Sequence, residues 1–294
     1  MKIRNIPEEL FKPVYFRAEE TKRPDAIIKD ELAVRLMEKI APNFSKFDDW
    51  TIQFGIAIHT LLVDNVVKQF LQKNPDGVII TLGGGLCTRP ILLNNGQAQW
   101  FCVDAPYVES FWDQMIGEST HNHFIPSFVT DFTWANQIAE EEREVLFIAE
   151  GVFLYLKEAE VKQVILFIQQ RFPDSEIVME VIGKFILNST QIFRSKAIPG
   201  GRFHWGINDC KELESWHLGI TLIKEYFCYD YYKRRQGWMN FLPFLVGGKK
   251  QLLKVAHLQL SQYSLRARDE AKLSELTCFE IVKSNGKTLG TKSC

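Results

Sequence analysis

A run of three glycines at residues 83–85 follows the apolar residues 78–82, and Thr88 and Arg89 come shortly after the glycines. An apolar run that ends in glycines is typical of a buried parallel strand whose following turn brings the backbone close to a ligand. Glycine permits backbone angles that other residues disfavour, and it leaves space beside the chain. This segment therefore predicts a nucleotide-like ligand at the first strand of an α/β sheet.

Acidic residues follow three further predicted strands. Asp104 ends the second strand, Asp131 follows the third, and Glu150 ends the fourth. In a doubly wound sheet the ligand lies across the carboxyl ends of the strands, so these acids would converge on one site. A carboxylate at Asp104 can accept hydrogen bonds from both hydroxyls of a ribose. The alternative for each acid is to cap a helix, and this alternative is strongest for Asp131.

The charges around the glycines indicate which ligand to expect. A dinucleotide such as NAD carries a pyrophosphate, which favours a G-x-G-x-x-G turn at a helix N-terminus. Residues 83–89 lack the third glycine at the required place. Acids at three strand ends would also repel a phosphate, whereas they suit a ribose, an adenine amino group and a cationic centre. S-adenosylmethionine has all three features and no phosphate, so it is the predicted cofactor in preference to a nicotinamide.

Strand and helix patterns alternate from residue 78 onward, which favours a parallel sheet covered by helices on both faces. Five strands are predicted in this part of the chain, at residues 78–82, 99–104, 124–129, 144–150 and 176–183. Helix-compatible stretches separate them, among them residues 105–115 and 157–172. We therefore expect an α/β fold with a Rossmann-like, mostly parallel and doubly wound sheet.

The chain of 294 residues is interpreted as a single domain in four parts. Residues 1–75 form a helical cap, and residues 78–183 form the ligand-binding core. Residues 184–215 are too irregular for a sheet layer and are predicted to form an insertion over the strand ends. Residues 216–294 complete the core.

Local patterns refine both ends of the chain. In the cap, apolar spacing predicts a helix that starts near Pro24 and Asp25 and a second helix over residues 51–73. Three segments are predicted after the insertion, a helix at residues 211–219, a strand at 220–230 and a last strand at 277–284. Residues 257–267 fit a helix or a strand equally well.

Composition bears on partners and compartment. A net charge of −1 gives no overall electrostatic reason to expect nucleic acid or a membrane as partner. The six cysteines form no C-x-x-C pair, and the N-terminus lacks an apolar signal core, so we expect a cytoplasmic protein. No uninterrupted apolar run approaches a membrane span in length. His121 and His123 lack further ligands, so no metal site is predicted.

Several blocks of the sequence resemble the leucine carboxyl methyltransferase family, whose bacterial members include polyketide O-methyltransferases of the tetracenomycin type. The blocks are residues 82–90, 101–108 and 148–161, together with the Asp131-Phe132 pair. Residues 17–33 resemble the N-terminal signature of that family, so the resemblance covers about residues 15 to 183. It implies the class I fold of methyltransferases that use S-adenosylmethionine as methyl donor.

The resemblance also implies roles for individual positions in donor binding. The positions implied are Gly83, Gly84 and Gly85 under the methionine part, Asp104 with Ala105 at the ribose, Asp131 and Phe132 at the adenine, and Glu150, Gly151 and Tyr155 near the amino acid part. Arg89 follows the glycines as in the bacterial members, and an ion pair that fixes the turn is as plausible for it as a ligand contact.

One position departs from the family pattern. Many members carry an arginine before a threonine in the second helix, where it pairs with the donor carboxylate, whereas His59 precedes Thr60 here. An imidazole is a poorer carboxylate partner than a guanidinium. Either Arg17 supplies the charge or the donor binds less tightly, and a buried structural role is the alternative for His59.

The acceptor side is predicted from residue type and position alone. Arg202, Phe203 and Trp205 are expected to bind the acceptor, with His204 and Tyr155 as candidates for a catalytic role. Methyl transfer from a sulfonium needs alignment and exclusion of water, and a base only if the acceptor is a hydroxyl. The expected function is O-methylation of a carboxylate or hydroxyl of a small molecule. The alternatives are a protein C-terminal carboxyl methyltransferase, a donor-binding protein without catalysis and a nicotinamide-dependent oxidoreductase.

Overall fold

Seven strands form one sheet in the computed structural model, which describes residues 8–40, 49–138, 143–192 and 202–262. The strands are β1 (Val78–Leu82), β2 (Gln99–Asp104), β3 (Asn122–Pro126), β4 (Val145–Ala149), β5 (Ser175–Ile182), β6 (Ile220–Phe227) and β7 (Leu253–Leu260). Their order is β3-β2-β1-β4-β5-β7-β6. Strands β1 to β5 run parallel, and β7 is antiparallel to both neighbours. The strand order reverses between β1 and β4, where doubly wound sheets bind ligands.

Nine α-helices are assigned within the described ranges. They are α1 (Glu8–Thr21), α2 (Glu31–Ile40), α3 (Trp50–Lys73), α4 (Arg89–Leu92), α5 (Glu109–Met115), α6 (Glu158–Arg171), α7 (Lys184–Ile192), α8 (Lys233–Gln236) and α9 (Leu242–Leu245). The described residues up to Ser261 form one compact unit. The predicted α/β fold with a mostly parallel, doubly wound sheet is confirmed.

The predicted strands of the core are all present. Strands β1 and β2 have the predicted limits, and β4 and β5 differ from them by one residue at each end. Strand β3 ends at Pro126, three residues before the predicted limit, because residues 128–131 form a turn closed by the Asp131 N–H to Phe128 O hydrogen bond. Burial of every residue of β1 and β4 explains why both read as unbroken apolar runs.

The segments after the core were predicted less well. Residues 257–260 belong to β7, which settles part of the segment that fitted either a helix or a strand. The helix predicted at residues 211–219 is a 3-10 helix over Cys210–Trp216. Asp209 caps it by accepting the Lys211 N–H. The strand predicted at residues 277–284 lies outside the described residues.

Helix α2 begins at Glu31, about six residues later than predicted. Asp30 sets this limit because its Oδ1 accepts the Ala33 N–H at 2.8 Å, which is the contact of an N-cap. The preceding residues form a loop held by Glu20, whose Oε1 accepts the Ile27 N–H at 2.7 Å. A buried side-chain cap outweighs the apolar spacing that suggested an earlier start.

Helix α3 lies on one face of the sheet. Asp49 caps its N-terminus, and its apolar side packs with buried residues of β1, β4, β5 and β7. By length and composition this helix could also cross a membrane, although no uninterrupted apolar run of that length was expected. Half of its most apolar window is buried inside the protein, which is typical of a core helix.

The segment after β5 is only partly the irregular insertion that was predicted. It begins with a regular helix, α7, over Lys184–Ile192. Residues 202–209 return to the sheet in an extended loop, where the Ile207 N–H donates to Ile182 O at 2.9 Å. The predicted insertion therefore ends against the core rather than lying wholly over the strand ends.

Candidate functional site

The glycine turn after β1 is packed closely against its own protein. Gly83 and Gly85 have φ angles of +61° and +52°, which favour glycine. A Cβ on Gly83 would lie 2.8 Å from the Val152 side chain, and one on Gly84 would lie 2.8 Å from Cys102 Sγ. Backbone angle therefore favours glycine at 83 and 85, as expected, whereas the space beside Gly83 and Gly84 is taken by the protein's own side chains rather than left for a ligand.

Asp104 holds the turn from the neighbouring strand. Its Oδ2 accepts the Gly85 N–H, and its Oδ1 accepts the Ala105 N–H, each at 2.6 Å. Burial raises the pKa of Asp104, and the two N–H groups oppose that effect. Each carboxylate oxygen has a second lone pair for a further donor. The side chain is therefore preorganised to accept two hydroxyl groups.

Asp131 takes the capping role that was its alternative. Its Oδ1 accepts the Thr133 N–H at 3.2 Å and the Thr133 hydroxyl at 2.8 Å. It thereby caps a 3-10 helix over Phe132–Gln137. The carboxylate stays exposed at the carboxyl end of β3, and its second oxygen is available to solvent or ligand. The Phe132 ring stacks on Phe167 at 4.3 Å between ring centroids.

Arg89 joins two buried carboxylates. Its Nε donates to Asp64 Oδ1 of α3 at 2.5 Å, and its Nη1 donates to Glu150 Oε2 after β4. Burial disfavours the charge, but Glu150 and Asp64 raise the pKa of Arg89 well above its usual value. Burial likewise opposes ionisation of Glu150, and Arg89 nevertheless lowers the pKa of that carboxyl. Arg89 therefore has the ion-pair role proposed as its alternative.

His59 lies beside the same cluster. Its Nδ1 is 3.5 Å from Glu180 Oε1 and 3.8 Å from Glu150 Oε1, and it makes no hydrogen bond. Burial opposes protonation of His59, but Glu180 and Glu150 outweigh burial and raise its pKa. Glu180 also accepts the Gly151 N–H at 2.8 Å and so fixes the backbone that follows Glu150. Because two carboxylates already lie beside His59, it is a poor partner for a third, the carboxylate of the donor.

Arg17 connects the helical cap with the glycine turn. Its Nε donates to Asp30 Oδ2 at 2.9 Å, and its Nη2 donates to Leu86 O at 3.2 Å. Thr88 donates its hydroxyl hydrogen to the same Asp30 oxygen at 2.7 Å. The Arg17 guanidinium, which is the second candidate for binding the donor carboxylate, is thus held next to the glycine turn.

Residues 202–205 lie against the end of β4. The N–H groups of His204 and Trp205 both donate to Leu154 O, at 2.7 and 3.3 Å. Arg202 and His204 are exposed, and the Phe203 ring meets Tyr155 edge-to-face at 5.3 Å between centroids. The Tyr155 and Phe203 rings are therefore in contact, and Arg202 and His204 flank Phe203 in the chain.

Trp205 is a correction to the predicted acceptor site. Its side chain is only 1% exposed and packs in the core against Phe153 and Trp216. Trp205 therefore faces inward, whereas Arg202 and His204 are exposed and Phe203 is half-buried. A core residue at this position cannot line an acceptor pocket in the conformation described.

Lys254 of β7 holds the loop of residues 202–208 through hydrogen bonds. Its side chain is fully buried, and its Nζ donates to the carbonyl oxygens of Ile207, Asn208 and Lys250 at 2.6–2.8 Å. Burial lowers the pKa of Lys254. The loop that carries residues 202–208 is therefore fixed to β7 through main-chain oxygens.

Sequence reasoning missed three acids that organise this site. Asp64 lies in the apolar helix α3, Glu180 in the apolar strand β5, and Asp30 before α2. A charge inside an apolar element must be paired when it is buried, so Asp64 and Glu180 carried a usable signal. In the described ranges no group of three His, Cys, Asp or Glu side chains could hold a metal.

The site fits the predicted methyl donor. Asp104 offers two preorganised acceptor oxygens, which suit the hydroxyls of a ribose. Tyr107 and Phe128, which follow β2 and β3 in the chain, have exposed rings. Arg89 offsets one of the two negative charges of Asp64 and Glu150, so a ligand meets a cluster that keeps a net negative charge and suits a cationic centre.

Comparison with known proteins identifies relatives of this chain. A model of the leucine carboxyl methyltransferase family matches residues 11–169. The tetracenomycin polyketide synthesis O-methyltransferase TcmP of Streptomyces glaucescens is 23% identical over 232 residues, which cover 78% of this chain and 86% of TcmP. The S-adenosyl-L-methionine-dependent methyltransferase dpfgK of Gibberella zeae is 24% identical over 274 residues, covering 82% and 91%.

Solved structures share the fold. A protein assigned as a methyltransferase from Thermobifida fusca aligns with a TM-score of 0.53 at 14% identity, covering 86% of this chain and 96% of that one. A DUF574 family protein from Streptomyces avermitilis gives the same TM-score at 10% identity, covering 84% and 96%. The family model matches more than half of the chain, which is enough to show its family. The chain belongs to the leucine carboxyl methyltransferase family and is an S-adenosylmethionine-dependent methyltransferase.

Proposed function

We propose that this methyltransferase transfers the methyl group to an oxygen of a small, flat, partly apolar molecule, at a carboxylate or a hydroxyl. The observation that carries the proposal is the Tyr155–Phe203 ring pair at the end of β4, beside the exposed Arg202 and His204. Two rings suit an aromatic acceptor, and a cation suits one that bears an acidic oxygen. TcmP, which shares this family, is named as an O-methyltransferase of polyketide synthesis.

In the proposed site this chain's residues hold the donor from three sides. Asp104 accepts both ribose hydroxyls while Gly85 and Ala105 keep its carboxylate in place. Arg17, rather than His59, pairs with the donor carboxylate, because Glu150 and Glu180 already surround the imidazole. Asp131 retains one oxygen for the adenine amino group while the other caps its helix.

When bound, S-adenosylmethionine supplies a methyl group already activated by a sulfonium, so the protein need only align and enclose the reactants. Tyr155 and Phe203 orient the acceptor ring and exclude water from one side. A carboxylate acceptor needs no base, because it is already ionised. For a hydroxyl acceptor, His204 takes the proton, since its exposed imidazole follows Phe203 directly in the loop.

The test is a transfer assay with intact-mass detection of product. The full chain is incubated with the donor and matched acceptors that present a carboxylate, a phenol or an amine on the same aromatic ring. We expect product from the oxygen acceptors only. Phe203→Ala should raise KM for the acceptor roughly tenfold and leave donor affinity unchanged, because Phe203 is not among the residues proposed to hold the donor.

Two results would contradict the proposal. Transfer to the amine alone would exclude O-methylation, and transfer only to a protein C-terminus would favour the carboxyl methyltransferase alternative. Leu218→Ala is the matched control for the variant, because Leu218 is exposed at the opposite edge of the sheet, next to the start of β6. An equal loss in both variants would show a general effect on folding rather than acceptor binding.

A further inference from the structure

The segment between β6 and β7 carries a large apolar surface that the methyl-transfer site does not use. Four side chains project from it, and we call them the aromatic ridge: Trp238, Phe241, Phe244 and Leu245. They are 62, 68, 87 and 70% exposed. Single exposed apolar residues are ordinary, but four in eight consecutive residues mark an interaction surface.

The ridge stands on a rigid base. Met239, between the ridge residues, is buried in the core with the side chains of α3. Arg235 pairs with Glu20 of α1 at 3.0 Å, and Gln236 donates to the carbonyl oxygens of Tyr229 and Tyr231. The exposed side chains are therefore held outward by a fixed backbone and are not a frayed end.

The charged residues within this segment are all basic. Residues 231–251 contain no acidic residue and five basic ones, in a chain whose net charge is −1. Arg235, Lys249 and Lys250 pair with acids outside the segment. Lys233 and Arg234 are exposed and form no ion pair with the part of the chain that the structure describes. The surface thus combines aromatic rings with cations, as membrane-surface segments do.

The shape of the aromatic ridge favours a membrane over a peptide as its partner. A peptide needs a groove for its side chains, whereas exposed fractions of 62–87% describe side chains that protrude. Protruding rings can enter the interfacial layer of a bilayer while adjacent cations meet anionic headgroups. The expectation of no membrane partner rested on the net charge, which averages over this local patch.

We propose that residues 231–251 dock this methyltransferase onto an anionic membrane surface, with the aromatic ridge inserted and Lys233 and Arg234 at the headgroups. The ridge follows β6. Phe227 at the end of β6 pairs with Lys254 of β7, which in turn pairs with Val181 near the end of β5. The docking segment therefore lies at the same edge of the sheet as the donor site. A docked enzyme could take an apolar acceptor from the bilayer.

The test is flotation of the full chain with vesicles of phosphatidylcholine alone or mixed with phosphatidylglycerol. We expect binding to the mixed vesicles that weakens as salt is added. Phe244→Ser should lower the partition coefficient roughly tenfold, because the ring no longer enters the interface. Lys233→Gln should lower it about fivefold on the anionic vesicles and leave binding to neutral ones unchanged.

Leu218→Ser is the control, since it removes an exposed apolar side chain at the other edge of the sheet. Donor binding and the thermal midpoint should stay unchanged in all three variants, which separates docking from methyl transfer. Absence of vesicle binding by the wild-type chain would overturn the proposal, as would a Phe244→Ser variant that binds like wild type. A ridge-dependent dimer that does not bind vesicles would also overturn it and assign the ridge to a second copy.

Discussion

Two buried cations, Arg89 and Lys254, are held by different kinds of partner. Arg89 is held by two carboxylates, Asp64 and Glu150. Lys254 is held by three main-chain oxygens, with Glu225 farther away at 3.7 Å. The carboxylates keep Arg89 firmly protonated, whereas burial lowers the pKa of Lys254.

The difference shows what each side of the site depends on. On the donor side, charges from a helix, a turn and a strand end must all be present together. On the side of residues 202–208, the contacts that fix the loop are made by the backbone. We therefore expect substitutions on the donor side to be more costly, and the following predictions test that difference.

Arg89→Met should give the largest effect. Removing the guanidinium takes the hydrogen-bonded partner from Asp64 and Glu150, whose side chains are only 19 and 16% exposed, and this should lower the free energy of unfolding by about 3–5 kcal/mol. Urea unfolding measures the change. Arg23→Met is the matched control, because its ion pair within the described residues is with the exposed Asp25 and should contribute little. Equal losses in the two variants would contradict a special role for the buried pair.

Lys254→Met should cost less, about 1–3 kcal/mol, because neutral carbonyl oxygens rather than carboxylates lose their partner. The loop that carries Phe203 and His204 should loosen, so KM for the acceptor should rise while donor affinity stays the same. Urea unfolding and calorimetry with the donor measure the two effects. If Lys254→Met were as costly as Arg89→Met, the contrast between the two cations would be wrong.

Asp104→Asn should weaken donor binding roughly tenfold to a hundredfold, because a neutral amide replaces a charged acceptor of two hydroxyls. Asp131→Asn is the comparison, since that carboxylate already accepts two hydrogen bonds from Thr133 and asparagine also caps helices well. Its loss should be smaller. Titration calorimetry with S-adenosylmethionine distinguishes the two, and a larger loss at Asp131 would reverse the proposed ranking.

His59 should give the smallest effect, visible in its pH dependence. Its pKa is raised in the folded state, so the charged imidazole stabilises the fold fully below about pH 6.5, the usual value in the unfolded chain. This stabilisation is lost as pH rises through the folded-state pKa. The free energy of unfolding of the wild type relative to His59→Gln should therefore fall between neutral and alkaline pH. A difference independent of pH would exclude a titrating His59.

Sequence reasoning worked best where function and local pattern coincide. The glycines, Asp104 and Glu150 directly follow apolar strands, so their position at one edge followed from the fold. The close packing of the glycines did not follow, because Val152 and Cys102 approach them only in the folded chain. Asp131 shows the same limit, since its cap depends on which turn the chain takes after β3.

Roles that depend on contacts between residues distant in sequence were harder to predict. Arg89 could be read as a ligand contact or an ion pair, and the choice depends on Asp64, which lies in another helix. Trp205 has the residue type of an acceptor contact, yet its side chain completes the core. Residue type alone does not tell which side of an extended segment faces the site.

The way residues 202–205 attach to the core has a consequence for redesign. Their hydrogen bonds to Leu154 O come from backbone N–H groups, and only Trp205 contributes a buried side chain. The side chains at 202, 203 and 204 can therefore be exchanged without removing the attachment of the segment. Libraries randomised at these three positions, with Trp205 and Lys254 kept, should yield folded enzymes with altered acceptor preference and an unchanged methyl donor.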